Sequence, residues 1–459
     1  MDHASFYQRR DNRTLLFAES DYRNKKVLIT INDESLSTFD GQVMLFTAFN
    51  LTSRFCSNID LRCNPSTKTI YLAPKFHQET ISDSLIKTGS KIDPFGKFTI
   101  IDKPNEAYDA VLSIGEPQIA FKKQVSIDSD CWIAYFNKPS LHTCQSSNPI
   151  GAGVAACFGV CEVFKKLIPT QNYHQQMDSF SFSALDYSLN KPDAENPPLP
   201  KTIKLGSVQV VGIGAVGSAV IAFLDFLPIE GELELIDKEK INISNLNRYF
   251  IATTDDVSMP RAPISRSQDK VTIGQQYLSH KKGIRVSSFF SSYEKYVEAY
   301  GRGKADVILP LVDNNSARHV VQLNMPHLSI YGTTGGWMFS VSRQKAIEDD
   351  CIICRHPDRE THDLPCGVVE IAQQQPKKEE KPVNAAVSFV SALPGILVAG
   401  ELVKLNYDKK YSKNFLQIDM ASSPQYMQHL QLHPVETCIC QVPWFRAVYQ
   451  KILAKYHDL

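Results

Sequence analysis

The stretch Val208–Arg248 decides the fold of this chain: it reads VQVVGIGAVGSAV from Val208, ELELID from Glu232 and SNLNR from Ser244. An apolar strand is followed by a turn containing Gly212, Gly214 and Gly217, and then by a helix. In this G-x-G-x-x-G arrangement the glycines permit a tight turn, a close approach of phosphate and close packing of helix on strand. Asp237 ends the next strand, where a carboxylate can accept hydrogen bonds from ribose hydroxyls. The stretch therefore predicts an α/β nucleotide-binding fold.

Charged residues beyond Asp237 indicate that the nucleotide is a triphosphate. Asn245 and Arg248, three apart on one helical turn, offer an amide and a fixed cation to phosphate oxygens. Lys270 adds a second cation, and Asp313, just beyond a strand end, can hold Mg²⁺ bridged to phosphates. Each residue also has an ordinary alternative: a surface ion pair for Arg248, solvation for Lys270 and a helix cap for Asp313. An NAD-dependent oxidoreductase would share the glycine turn and the acid, but the arginine and the lysine disfavour it.

Two halves of the chain repeat one order of strands and helices. Strand, helix and strand are predicted over Val27–Ile31, Gly41–Phe55 and Asn58–Arg62, and again over Val208–Val211, Ser218–Leu227 and Glu232–Ile236. Three later pairs continue the series: Ala110–Ile114 with Val307–Leu311, Cys131–Tyr135 with Leu328–Gly332, and Gly151–Leu167 with Ala385–Leu405. The alternation predicts two Rossmann-like, doubly wound α/β domains that arose by duplication. Periodicity common to all α/β folds is the alternative explanation.

The repeat divides the chain into a first domain over residues 1–170, a proline-rich linker over 171–205 and a second domain over 206–459. The second domain carries an insertion over about residues 340–384 and a C-terminal segment. Where the second domain has its glycines, the first has Asn32, Asp33 and Glu34. These acidic groups would repel phosphate, so the first domain is not expected to bind a nucleotide.

Cysteines in the insertion and near the C-terminus indicate two kinds of chemistry. Cys351-x-x-Cys354 and Cys438-x-Cys440 together suit a four-thiolate zinc site, although the second pair has a tighter bite than the usual Cys-x-x-Cys. Two pairs of unliganded thiols are the alternative. Cys366 is left over on a polar stretch, where a free thiol is a candidate nucleophile.

Composition sets the cellular context. The 11 cysteines, an odd number scattered through a long chain, argue for a reducing compartment, and we expect a cytoplasmic protein. Cys157 and Cys161, four apart on a helical pattern, are expected in the core. The 49 basic and 49 acidic residues cancel, and no long apolar run is present, so neither nucleic acid nor a membrane is expected as a partner.

These motifs resemble the adenylation domain of ubiquitin-like-protein activating enzymes and of their bacterial relatives in thiamine and molybdopterin biosynthesis. The residues that carry the resemblance are Gly212, Gly214, Gly217, Asp237, Ser244–Arg248, Lys270, Asp313, Asn314 and Arg318. The resemblance implies that the C-terminal carboxylate of a carrier protein attacks the α-phosphate of Mg-ATP. Arg248 and Lys270 would neutralise the phosphates and Asp313 would position the Mg²⁺. The first half would then be an inactive adenylation domain, which makes the chain an intrachain pseudo-dimer with homo-oligomers as a further option.

The resemblance also implies roles for two other residues. In two-domain members the inactive domain supplies an arginine near its N-terminus in a Tyr-x-Arg context, which points to Arg9 and next to Arg10; a mobile basic terminus is the alternative. In similar enzymes a cysteine at the distance of Cys366 captures the activated carrier as a thioester for handover to a conjugating enzyme. Residues 388–395 are similar to activating enzymes of bacterial ubiquitin-like conjugation systems linked to phage defence.

The expected function is ATP-dependent activation of a ubiquitin-like protein, transfer to Cys366 and delivery to a conjugating enzyme. Three other functions stay open: a sulfur-carrier-protein adenylyltransferase that uses the same ATP site, an NAD-binding oxidoreductase, and an inactive scaffold. The duplicated architecture favours the first function, because the sulfur-carrier relatives usually have one adenylation domain and dimerise.

Overall fold

The computed structural model describes residues 2–17, 22–104, 108–139, 147–168, 177–257, 267–301, 305–357, 385–410, 413–422 and 424–454. Within these residues the chain forms two mixed, mostly parallel sheets flanked by helices. None of the helices in the described segments is long and apolar enough to cross a bilayer.

The first sheet has seven strands in the order β3-β2-β1-β4-β5-β6-β7. Their bounds are β1 Val27–Ile31, β2 Asn58–Arg62, β3 Lys97–Ile100, β4 Ala110–Ile114, β5 Gln124–Asp130, β6 Ile133–Phe136 and β7 Phe180–Ser183. Strands β1 to β5 pair in parallel, whereas β6 and β7 run antiparallel to their neighbours. The central strand β1, with sequence VLITI, is buried along its whole length. Such a continuous apolar, β-branched run is expected of a parallel strand covered on both faces.

The second sheet repeats that order and adds one strand, in the order β10-β9-β8-β11-β12-β13-β14-β15. Its strands are β8 Ile203–Val211, β9 Ile229–Asp237, β10 Ile284–Phe290, β11 Val307–Pro310, β12 Leu328–Gly335, β13 Met338–Lys345, β14 Phe415–Asp419 and β15 Gln428–Leu430. Each of β8 to β14 takes the place that β1 to β7 take in the first sheet. The matching strand orders confirm the predicted fold class, two doubly wound α/β units.

Helices cover the faces of both sheets and join them. They are α1 His3–Arg10, α2 Asp33–Leu36, α3 Phe39–Ser53, α4 Ile81–Ile92, α5 Pro149–Leu167, α6 Ala215–Phe226, α7 Lys270–Leu278, α8 Tyr293–Tyr300, α9 Asn315–Leu323, α10 Ile352–Arg355, α11 Ser388–Lys404 and α12 Pro443–Ala454. Helices α5 and α11 are almost wholly buried and pack on each other between the halves. A Cβ added at Gly153 of α5 would lie 2.3 Å from the ring of Phe223 on α6. This close approach makes the two halves share one hydrophobic core.

One pair of the predicted repeat was misaligned by a strand. Cys131–Tyr135 was matched with Leu328–Gly332, which lies in β12, but Cys131 stands in the turn before β6. In the sheet order β6 corresponds to β13 and β5 corresponds to β12. The error arose because β5 and β6 form a tight hairpin in which Cys131 and the buried Trp132 provide no polar break.

Part of the predicted linker contributes to the first sheet. Within residues 171–205, Phe180–Ser183 forms β7 and pairs with β6, and the second sheet already begins at Ile203. The prolines that suggested a linker lie between these strands, where the chain has no regular structure. The prediction that Cys157 and Cys161 belong to the core is confirmed, because both are fully buried in α5.

Candidate active site

The glycine turn connects β8 to α6 as the sequence predicts. Gly212 has a φ of +99°, and a Cβ at this position would lie 2.8 Å from the carbonyl oxygen of Leu311. A Cβ at Gly217 would lie 2.4 Å from the carbonyl oxygen of Gly212. Gly214 is the N-cap of α6 and provides no capping side chain. The first N–H groups of α6 and the positive end of its dipole are therefore available to an anion.

Asp237 is fixed at the end of β9 beside this turn. Its Oδ2 accepts a hydrogen bond from the N–H of Ile213 at 2.7 Å, and its Oδ1 accepts one from the N–H of Glu239 at 2.8 Å. Burial raises the pKa of Asp237, although nearby Lys270 opposes that change. Each carboxylate oxygen keeps a second lone pair, which a ribose hydroxyl can use.

Arg248 is a buried cation with no acidic partner in the part of the chain that the structure describes. Its side chain is 7% exposed and donates to the carbonyl oxygen of Ser244 at 2.8 Å and to Oδ1 of Asn247 at 2.7 Å. Among the described residues no carboxylate lies within ion-pair distance of it. Burial lowers the pKa of Arg248 to about 10, and the positive charge of Arg13 acts in the same direction. A buried guanidinium held only by neutral acceptors is suited to receive an anionic ligand.

Lys270 begins α7 and is 4% exposed. Its ammonium group pairs with the exposed carboxylate of Glu239. Burial alone would lower the pKa of Lys270, but the neighbouring Tyr249, Asp237 and Glu239 raise it above its usual value. Lys270 is therefore charged at neutral pH, and its exposed partner can be exchanged for a phosphate.

Tyr249 lies between the two cations and was not identified from the sequence. Its ring centroid is 5.5 Å from the guanidinium carbon of Arg248 and 5.0 Å from Nζ of Lys270. Its hydroxyl is the nearest atom to a Cβ added at Gly214, at 3.7 Å. An aromatic residue directly after the arginine of the SNLNR segment was the available signal, because a ring can hold two cations close together through cation–π contacts.

Asn245 and Asp313 are placed differently from each other. Oδ1 of Asn245 accepts from the N–H of Asn242 at 2.9 Å and so shapes the loop, which leaves the amide nitrogen as the group able to meet a ligand. Asp313 is exposed beyond β11. The alternative that Asp313 caps the next helix is wrong, because Asn314 caps α9 by accepting from the N–H of Ala317 at 2.8 Å. The Asp313 carboxylate remains able to hold a cation.

The N-terminal segment lies close to the site. Arg9 is exposed on α1, which approaches the turn Ile243–Asn245. Arg10, the second choice from sequence, is fully buried between Asp11 and Asp93 at 2.6 and 2.7 Å and is a structural residue. Arg13 lies close enough to Arg248 to depress its pKa.

The same region of the first half is closed to phosphate. Where the second half has its glycine turn, the first half has the short helix α2, whose N-cap Asn32 accepts from the N–H of Ser35 at 2.8 Å. Thr38 caps α3 by accepting from the N–H of Gly41 at 3.0 Å. A Cβ at Gly41 would lie 1.9 Å from the carbonyl oxygen of Ser35, so α2 packs directly against the start of α3. Helix α2 therefore occupies the place that the glycine turn takes in the second half.

The four cysteines predicted as zinc ligands come together. Their sulfur atoms all lie within 4.8 Å of one another. The Sγ–Sγ distances are 3.7 Å for Cys351 to Cys354, 3.5 Å for Cys351 to Cys438 and 3.5 Å for Cys354 to Cys440. Four thiolates at about 2.3 Å from a tetrahedral zinc lie about 3.8 Å apart. The donor set and its spacing therefore fit zinc despite the Cys-x-Cys pair. Cys366 lies outside the described residues.

The two halves of the chain match different protein families. Residues 196–441 match the ThiF family, and this range is more than half of the chain. The chain belongs to the ThiF family. The match includes Gly212, Asp237, Arg248, Lys270 and Asp313. The BilD N-terminal domain matches residues 26–179, within the half that lacks the glycine turn.

Three relatives show what this ThiF-family chain is similar to. Uncharacterized protein y4jF of Sinorhizobium fredii is 32% identical over 231 residues, covering 50% of this chain and 42% of that protein. Ubiquitin-like modifier-activating enzyme 5 of Culex quinquefasciatus is 24% identical over 255 residues, covering 51% of this chain and 59% of that protein. Sulfur carrier protein ThiS adenylyltransferase of Escherichia coli is 25% identical over 170 residues, covering 35% of this chain and 64% of that protein. The chain thus spans about half the length of the first two relatives.

Proposed function

We propose that this chain activates the C-terminal carboxylate of a ubiquitin-like protein with ATP and then captures it on Cys366 for delivery to a conjugating enzyme. One observation carries the proposal: Arg248 and Lys270 are buried beside the N-terminus of α6, and Arg248 has no acidic partner among the described residues. Two buried cations at a helix N-terminus suit a polyphosphate, because the triphosphate of ATP carries more negative charge than the single pyrophosphate of a dinucleotide and needs more compensation.

In the first step, a carboxylate oxygen of the carrier attacks the α-phosphorus of ATP and the bond to pyrophosphate breaks. Negative charge builds up on the phosphate oxygens, and Arg248 and Lys270 lie where they can stabilise it. Asp237 would hold the ribose, and Asp313 would hold a Mg²⁺ that screens the phosphate charge. Gly212, Gly214 and Gly217 let the backbone approach the phosphates.

In the second step, the thiolate of Cys366 attacks the acyl carbon and AMP leaves. The thiol gives up its proton, and the acyl adenylate becomes a thioester and AMP. Because Cys366 lies outside the described residues, its role rests on the sequence alone.

An arginine from the first half completes the site in this proposal. Arg9 fits the Tyr-x-Arg context, but Arg13 is the residue whose charge acts on Arg248. A third cation beside Arg248 is favourable only when an anion lies between them. We therefore rank Arg13 above Arg9 as the ATP ligand, and comparison of Arg13→Ala with Arg9→Ala in ATP binding decides between them.

Zinc would serve structure in this proposal. Cys351 and Cys354 follow β13 and flank α10, whereas Cys438 and Cys440 precede α12. Bound by all four, the ion would tie the C-terminal segment to the second sheet.

The decisive experiment is ATP–pyrophosphate exchange in the presence of candidate ubiquitin-like proteins, for example those from neighbouring genes. We expect carrier-dependent exchange by the natural chain and by Cys366→Ala, and none by Arg248→Ala. A thiol-sensitive adduct should form with the natural chain and be absent with Cys366→Ala. An adduct that persists in Cys366→Ala would show that another residue is the nucleophile.

The same assay separates the other functions. A thiocarboxylate product would indicate a sulfur-carrier adenylyltransferase. Reduction or oxidation of a nicotinamide without exchange would indicate an oxidoreductase. Absence of both activities with every candidate carrier would favour a scaffold.

A further inference from the structure

Arg54, in the half without a nucleotide site, holds the loop that carries Arg248 in the other half. It is the C-cap residue of α3, and its side chain is fully buried. Its Nη1 donates to the carbonyl oxygen of Leu246 at 2.6 Å. Its Nη2 donates to the carbonyl oxygens of Phe250 at 2.7 Å and Ala252 at 3.2 Å. These three acceptors lie on either side of residues 247–249.

A neighbouring residue of α3 supports the same contact. Oδ1 of Asn50 accepts from Nε of Arg54 at 2.9 Å, and Nδ2 of Asn50 donates to the carbonyl oxygen of Phe250 at 3.2 Å. All the acceptors of these Arg54 hydrogen bonds are neutral oxygens. The fork of the guanidinium thus spans the whole turn, which an ammonium group could not do.

Arg54 is costly for the fold, which argues against a purely structural role. In the described segments no carboxylate lies within ion-pair distance of it, and burial lowers its pKa to about 9. A buried charge with no opposite partner is often less stable than an apolar side chain of similar volume. The halves already share an extensive apolar core. An apolar residue at position 54 would therefore join the halves equally well, but it would take the Arg54 donor from the carbonyl groups of Leu246 and Ala252 and leave Phe250 with Asn50 alone.

We infer that Arg54 is a positioning residue for ATP: by holding Leu246, Phe250 and Ala252, it keeps Arg248 and Tyr249 directed at the N-terminus of α6. The inference rests on the proposed function, because it assigns a partner to the same nucleotide site. With this role, the half without a nucleotide site contributes to ATP binding in addition to forming part of the core. Contacts between the two halves then determine the conformation of the loop that binds the phosphates.

The test compares Arg54→Lys and Arg54→Met with Lys91→Met. Lys91 also joins the two halves, because it pairs with Asp255 at 2.7 Å. Its partner Asp255 follows the loop that carries Arg248 and is not part of it. MgATP affinity is measured by calorimetry without any carrier, below the temperature at which each variant unfolds. We expect at least a 10-fold weaker affinity for Arg54→Met, a smaller loss for Arg54→Lys, and no change for Lys91→Met.

A second measurement separates positioning from stability. If Arg54 acts through Arg248, then Arg54→Lys should weaken ATP binding much less in an Arg248→Lys background than in the natural chain. Equal losses in both backgrounds, natural affinity in a folded Arg54→Met, or an equal loss in Lys91→Met would overturn the inference. If Arg54→Met does not fold, Arg54→Lys and its coupling to Arg248 decide the matter. Failure of the natural chain to bind ATP would instead refute the proposed function, and the inference with it.

Discussion

Replacing Arg248 should remove activity without the usual loss of stability for a buried arginine. We consider Arg248→Met, which keeps an unbranched apolar stem beside Tyr249 and removes the charge. Burial lowers the pKa of Arg248 from 12.5 to about 10. At about 1.4 kcal/mol per pKa unit, the folded chain without ligand disfavours the charge by roughly 3 kcal/mol.

Removing the charge should therefore raise the free energy of unfolding, but the loss of two hydrogen bonds offsets part of that increase. The carbonyl oxygen of Ser244 and Oδ1 of Asn247 lose their donor, at about 1 kcal/mol each. The net expectation is that Arg248→Met is about 1 kcal/mol more stable than the natural chain. Arg10→Met is the matched control, because Arg10 is also buried but lies between two carboxylates, Asp11 and Asp93. Removing the arginine from such a buried ion pair lowers the free energy of unfolding by about 3–5 kcal/mol.

The assay is urea unfolding of the three proteins with and without MgATP. Without nucleotide, Arg248→Met should unfold at the same or a higher urea concentration than the natural chain, and Arg10→Met at a clearly lower one. MgATP at about 100 times its Kd should stabilise the natural chain by about 2.7 kcal/mol and Arg248→Met by much less. A loss of stability in Arg248→Met as large as that in Arg10→Met would refute the reasoning, because it would mean that Arg248 already has an anionic partner.

Three other changes test separate parts of the structure. The purified chain should carry one zinc per molecule by elemental analysis, and Cys351→Ser should carry well under half of that, because a tetrahedral site that loses one thiolate binds zinc weakly. Asp225 is buried and its pKa is raised from 3.8 to about 6, so the folded state holds the proton more tightly than the unfolded state does. The free energy of unfolding should therefore fall by about 2 kcal/mol as pH rises from about 4 to about 6, and Asp225→Asn should remove that slope in unfolding measurements. Tyr249→Phe keeps both cation–π contacts and should bind ATP nearly as the natural chain does. Tyr249→Leu should lose about 1–2 kcal/mol of ATP binding free energy, measured by calorimetry. Equal ATP binding by both variants would contradict the role of the ring.

The features that sequence alone could predict are those in which local geometry dictates the residue. Gly212 needs a positive φ, and Gly217 needs the absence of a Cβ, so the turn is visible in one stretch of chain. Asp237 has to end the strand next to that turn. The cysteine pairs are visible because thiolate ligands are rare and come in short spacings.

The features that could not be predicted depend on packing between distant parts of the chain. Arg13 and Arg54 are each one of many basic residues, and only the docking of the halves brings them to the loop around Arg248. The role of Arg9 stays a prediction, because the Tyr-x-Arg motif does not specify which turn of the N-terminal segment faces the site. The element at Cys131–Tyr135 was matched with the wrong strand of the second half, because the tight hairpin of β5 and β6 has no polar break between its strands.

The two halves therefore divide one task unequally. The second half keeps the glycine turn, and the first half fills the equivalent space with α2 and caps α3 internally. The first half supplies Arg54 and Asn50 to the loop, and the second half holds it through the Ser218 hydroxyl, which accepts from the N–H of Phe250. A glycine turn detached from those contacts would still present free N–H groups, but the carbonyl oxygens of Leu246 and Ala252 on either side of Arg248 would lose the donor from the first half. If Arg54 positions Arg248 as we infer, the half without a glycine turn is needed for nucleotide binding by the half that has one.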